Sequence, residues 1–109
     1  MSDITFFENV AANATSGTQE TKTGSYGRTA GFNLQCSVSG AGAITATFQL
    51  YGSDKRSNVG GVLLGTVTLS GTGQAIDGIA PLAKWKYLYV VLSNLTGTGA
   101  IASAWGSEA

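Results

Sequence analysis

Asp3, Glu8, Glu20, Asp54, Asp77 and Glu108, with the lone thiol of Cys36, are the groups of this chain suited to acid–base or nucleophilic chemistry. Hydrolysis by paired carboxylates needs two of them held together on rigid elements. These six are scattered over termini and turn-rich stretches. The absence of histidine excludes Ser-His-Asp and Cys-His nucleophile systems and an ordinary zinc site. Asp54 and Asp77 have the oxygen chemistry for calcium, but both are accounted for as turn formers. Gly97-Thr98-Gly99-Ala100-Ile101-Ala102 matches a glycine-rich dinucleotide fingerprint. It lacks the βαβ unit and downstream acid that the chemistry requires, because only seven residues follow. Trp85, Tyr87, Tyr89 and Trp105 could form a stacking platform for sugars or bases. Aromatic residues are equally enriched in cores and subunit interfaces. No enzymatic constellation and no cofactor site emerges.

The elements that would position these groups are all strands. Phe32, Leu34, Cys36 and Val38 alternate with Asn33, Gln35, Ser37 and Ser39, and Ile44, Ala46, Phe48 and Leu50 alternate with Thr45, Thr47 and Gln49. Cys36 thus reads as a small buried hydrophobe. Val67 and Leu69 point inward between Thr66 and Thr68. Three stops of one kind punctuate these runs: Ser39-Gly40-Ala41-Gly42, Ser70-Gly71-Thr72-Gly73 and Thr96-Gly97-Thr98-Gly99. Glycine tolerates positive φ, so each stop is expected to close a tight antiparallel hairpin within a meander. Residues 52–61 read as a solvated loop, Asp77-Gly78 as a turn, and Pro81 as a strand edge or loop. No helical window is found.

Trp85 to Leu95 is apolar on both phases of a strand. Such a strand is covered on both sides, either by another subunit or by a loop over a central strand. The small residues Ala100, Ala102 and Ala104 leave room for a close approach. At the other end, Phe6 and Phe7 cannot both face inward from one extended segment, so one is expected to meet a partner or a second layer. Thr18 to Thr23 reads as a polar edge strand whose Glu20 and Lys22 discourage uncontrolled pairing. The expected fold is a single-domain antiparallel all-β sandwich or jelly roll of seven or eight short strands over residues 15–109, with an N-terminal arm at 1–14.

Composition narrows the partners. The 109 residues carry 11% charged side chains, against about 25% in an average protein, and six basic residues balance six acidic ones. Such a chain has no field to attract nucleic acid or an anionic membrane, and near-neutrality favours association. The N-terminus has no secretory pattern and no segment reaches the length of a membrane helix, so synthesis in a reducing cytosol is expected. The sequons Asn13-Ala14-Thr15 and Asn94-Leu95-Thr96 are then chance matches in a Thr-rich chain.

A resemblance adds to this reading. Tyr26-Gly27-Arg28-Thr29, the run from Phe32 to Gly40, Leu50-Tyr51-Gly52-Ser53-Asp54, the run from Leu64 to Gly73, Trp85-Lys86-Tyr87-Leu88-Tyr89-Val90 and the run from Asn94 to Ala100 follow one another. This succession resembles small β-sandwich virion proteins of tailed bacteriophages, over about residues 15 to 105. The resemblance implies a non-enzymatic virion protein made in the host bacterial cytoplasm. Its favoured form is a capsid decoration, or cement, protein that binds the major capsid protein on the outer head as a homotrimer. A tail, baseplate or fibre component and a carbohydrate-binding module are the alternatives. The residues expected at the interface are Phe6, Phe7, Tyr87, Tyr89 and Trp105.

Overall fold

The computed structural model describes residues 3–20, 32–81 and 85–108. Within them the chain is all-β and antiparallel, as the alternation predicts. The strands are β1 (Asp3–Val10), β2 (Ala14–Thr15), β3 (Gln19–Glu20), β4 (Phe32–Ser53), β5 (Val62–Ile79) and β6 (Tyr87–Glu108). They form one sheet ordered β1-β6-β4-β5, with β2 and β3 also paired to β6. Because β5 and β6 flank β4 on opposite sides, the connectivity is not a meander. Tyr26 to Thr29, Lys22 and the second half of the expected edge strand lie outside the described residues.

The three glycine stops do not reverse the chain. Each lies inside a long strand, and together they form a line across the sheet: Ala41 is opposite Thr98, and Ile44 is opposite Gly71. The conformational part of the expectation holds, since Gly42, Gly73, Gly97 and Gly99 all have positive φ. Its consequence differs, because a left-handed residue in a ladder makes a bulge as readily as a turn, and bulges bend strands. The β4–β6 ladder is irregular from Ser39 to Thr47, and the β4–β5 ladder between Ser39 and Ala43.

The bend is large. A straight strand of the 22 residues of β4 would be about 70 Å long, yet the molecule measures 44 × 24 × 18 Å. On β5, Ile79 Cδ1 lies where a Cβ on Gly65 would be only 2.5 Å away, although a straight strand would hold these residues about 45 Å apart. Ile79 is opposite Leu34 near one end of β4, and Tyr87 is opposite Ser53 at the other end. Residues 79 and 87 are joined by a segment that reaches at most about 28 Å. The sheet is therefore folded along the glycine line, so that its two halves face each other. Counting each side of the crease separately gives nine segments, among them the β4 pieces on either side of the glycines that the alternation marked, against the seven or eight short strands read from the sequence.

Between the halves lies one core, built from the predicted inward phase: Phe32, Leu34, Cys36 and Val38 before the crease on β4, then Ile44, Ala46, Phe48 and Leu50 after it. Ala100, Ala102, Ala104 and Gly106 of β6 supply the space for this packing. A Cβ on Gly106 would be 2.3 Å from the Phe32 ring. The close approach anticipated at the alanines is made by the chain itself.

The N-terminal segment is not an arm. Ile4, Phe6 and Phe7 are buried in the same core, and β1 pairs with β6 from Asp3↔Ser107 to Val10↔Ala102. Both phenylalanines face inward because the register shifts between Thr5 and Phe7, which makes a bulge that breaks the strict alternation. Phe6 meets Phe32 edge-on with ring centroids 6.3 Å apart. A second shift before Val10 is accommodated by Asn9 at φ 51, whose N–H donates to Ser103 Oγ at 2.9 Å. Asp77-Gly78 is likewise not a turn. It continues β5, with Gly78 against the Leu34 carbonyl and its N–H donating to Asp77 Oδ1.

Candidate functional site

The aromatic residues separate into two sites on the outer faces of the folded sheet. The first surrounds β6 where the sequence is apolar on both phases. Leu88, Val90 and Leu92 enter the core, so Tyr87 and Tyr89 point outward, yet both are buried. Tyr89 stacks on Tyr51 at 5.2 Å with an interplanar angle of 8°, and its hydroxyl accepts the Gly61 N–H at 2.9 Å. The Arg56 guanidinium lies 5.0 Å from the centre of the Tyr87 ring. Arg56 also pairs with Glu20 of β3 at 3.4 Å, and Asn58 Nδ2 donates to the Ser16 carbonyl.

Residues 54–61 thus form the polar loop the sequence predicts. They also cross the outer face as a cover, tied at the far side to the segment carrying β2 and β3. The central strand beneath a loop is the alternative realised here, and Tyr87 and Tyr89 are occupied by their own chain. A Cβ on Gly61 would be 2.8 Å from the Tyr89 hydroxyl, so glycine there is what lets the cover sit so close. Tyr87, Tyr89, Phe6 and Phe7 are consequently not available as an outer interface in this conformation.

Trp105 is the one expected interface residue left at the surface. It lies half-buried on the outer face of β6, directly opposite Thr5 on β1 and Gln35 on β4. The neighbouring rung pairs Ser107 with Asn33. Ile4, Thr5, Asn33, Gln35, Trp105 and Ser107 line a shallow recess of about 450 Å³. Every polar group in this lining is a neutral amide or hydroxyl. A neutral recess with an indole at its centre can stack on a flat apolar or sugar face and donate or accept hydrogen bonds at its rim. The lining has no proton donor or acceptor of the kind acid–base catalysis uses. Sequence reasoning found Trp105 but missed Asn33, Gln35 and Ser107. Their signal was the outward phase of their strands, which alone does not show that β1, β6 and β4 are adjacent.

Among the described residues no three Asp, Glu or Cys side chains gather where they could hold a metal ion. Cys36 is fully buried opposite Ala104 and Asp77. Loss of solvation, and secondarily the nearby Asp77 charge, push its thiol from an ordinary 9.0 up to about 12. Because the folded value is raised, the thiol's contribution to stability is complete below pH 9.0 and is lost as pH rises towards about 12. Denaturant midpoints measured across that range should fall more for the wild type than for Cys36→Ala. Iodoacetamide at pH 8 should label Cys36 only after unfolding.

No protein-family model matches the chain, and no curated protein matches it.

Proposed function

We propose that this chain is a non-enzymatic structural protein of a tailed-bacteriophage virion, a capsid decoration protein that binds the outer surface of the head and holds neighbouring capsomers together. The observation that carries this reading is the Trp105 recess: a half-buried indole among neutral side chains, seated on three adjacent strands rather than on loops. Tryptophan in such a setting is a typical anchor of protein interfaces. The low charge of the chain and its creased, braced sheet suit a part that clamps other proteins, and the resemblance stated above points the same way. The partner is the major capsid protein. Within a virion, a tail or baseplate position is the nearest variant, and immunogold labelling of intact particles separates it from the head.

The test is co-sedimentation of the purified chain with heads that lack it. Trp105→Ala is expected to weaken binding at least tenfold, as loss of an interface anchor does, while lowering the thermal midpoint little because the indole is only half-buried. Unchanged binding by Trp105→Ala refutes the recess as the contact. One other reading has an observation in its favour: the Asn33 and Gln35 amides beside an indole also fit a neutral glycan. In that case Trp105 fluorescence changes on titration with oligosaccharides, and the heads do not retain the chain.

A further inference from the structure

The polar cover over Tyr87 and Tyr89 is held to the molecule by a different kind of contact from the strands. No residue from Asp54 to Gly61 belongs to the core, and the one large apolar side chain among them, Val59, is 74% exposed. The segment folds back on itself: the Lys55 N–H donates to Ser53 Oγ at 3.1 Å and the Ser57 N–H to the Lys55 carbonyl at 2.8 Å. Among the described residues, what ties it to the sheet is polar. Arg56 pairs with Glu20 at 3.4 Å, with the two side chains 65% and 48% exposed, and its guanidinium lies over the Tyr87 ring. Asn58 Nδ2 meets the Ser16 carbonyl at 3.3 Å, and the Gly61 N–H meets the Tyr89 hydroxyl. Exposed ion pairs contribute little and are screened by salt. The far anchor is slight as well, because Glu20 stands on a strand of 2 residues. Beneath these contacts Tyr87 and Tyr89 are only 8% and 2% exposed, although they lie on the outward phase of β6.

We propose that residues 54–61 are a releasable strap: the segment lifts off as a unit while the creased sheet stays folded, and uncovers a strip of tyrosines, Tyr51, Tyr89 and Tyr87, on the neighbouring strands β4 and β6. A local opening has only its own contacts to break. For the strap these are polar contacts at the surface, whereas opening any of the long strands exposes core. The end that joins β5 is built to turn, since Gly60 has φ +77 and a Cβ there would meet nothing within 4 Å, and Gly61 follows it. Arg56 is the latch, because it touches both the covered Tyr87 ring and Glu20 on the far side. The two states present different surfaces. Closed, the chain shows Asp54, Lys55 and Arg56 to solvent; open, it shows stacked aromatic rings with hydroxyl tips, the composition of an interface core. The strap is thus an autoinhibitory contact that withholds an adhesive surface until the latch is released. Its release is independent of the virion reading.

Hydrogen exchange of the full chain by NMR, together with nitration of its tyrosines by tetranitromethane mapped by mass spectrometry, tests this. The Gly61 amide, bonded to the Tyr89 hydroxyl when the strap is closed, is expected to be protected about tenfold less than the amide of Phe48 in the core of β4. Tyr89 should be nitrated without global unfolding. Arg56→Gln should speed both reactions about threefold, the worth of an exposed ion pair, with the urea midpoint little changed. Raising NaCl from about 0.05 to about 0.5 M should move the wild type in the same direction. Gly61→Ala, whose Cβ would lie 2.8 Å from the Tyr89 hydroxyl and 3.0 Å from the Gly52 carbonyl, should hold the strap off and give the fastest nitration of Tyr89. Gly61 and Tyr89 reacting only as fast as Phe48 exchanges, in the wild type and in Arg56→Gln, overturns the proposal. So does an Arg56→Gln variant in which Phe48 is deprotected as much as Gly61, because the segment then opens only with the whole sheet. The salt series on the wild type keeps the test decisive if a variant folds poorly.

Discussion

Replacing Phe6 and Phe7 together by alanine is expected to abolish the cooperative thermal melt of this chain, and deleting residues 1–12 should do the same. Each phenylalanine is buried in the common core, and truncating a buried phenylalanine costs about 3–5 kcal/mol. The pair together matches the whole stability of a typical small domain, about 5–15 kcal/mol. Differential scanning calorimetry of the double variant reads the result. A sharp transition within a few degrees of wild type would mean that β1 is a detachable arm after all. The single variants should rank alike, because the bulge gives both rings the same degree of burial.

Gly97→Ala is expected to be the most damaging single methyl at the crease, with a loss of about 2–6 kcal/mol. Backbone strain at φ +126 accounts for about 1–3 kcal/mol of that. Overpacking accounts for a similar share, because the new Cβ would lie 2.7 Å from Ile44 Cγ2 and 2.9 Å from the Ala43 carbonyl. Gly42 and Gly73 are the controls. They also have positive φ, but a Cβ at either meets nothing within 4 Å, so alanine there should cost only about 1–2 kcal/mol. Urea midpoints of the three variants give the ranking directly. Equal losses would show that the crease is held by backbone conformation alone, without the wedge of Ile44 between strands.

These positions also show how far the sequence could be read. The alternation of Phe32, Leu34, Cys36 and Val38, and again of Ile44 to Leu50, assigns the core face of β4 correctly on both sides of the crease. That Gly42, Gly73, Gly97 and Gly99 adopt positive φ was equally legible, because only glycine does so without cost. Whether such a residue reverses a chain or bends it is decided by which strands lie beside it, and that information is not local. The same reason explains Phe6 and Phe7: a bulge lets adjacent residues share a face, and this bulge exists only in register with β6. The doubly apolar stretch at Tyr87 to Leu92 left two covers open. The one present is a loop whose own residues are polar, attached through Gly61, Arg56 and Asn58. Of the candidate site, Trp105 was legible as an aromatic beyond the main apolar run. Its neighbours Thr5 and Gln35 come from strands distant in sequence.

The pairing of β1, β2 and β3 with β6 alone has a consequence in time. The first of the described strands has its hydrogen-bonding partner in the last, with Asp3 opposite Ser107 and Val10 opposite Ala102. The β4–β5 hairpin can close early through contacts near in sequence, but the N-terminal strands must wait until β6 has been synthesised. Contacts this remote slow folding. Until β6 is in place the Phe6-Phe7 pair has no sheet to join and stays exposed to solvent as aggregation-prone surface, and pairing with β6 withdraws it into the core.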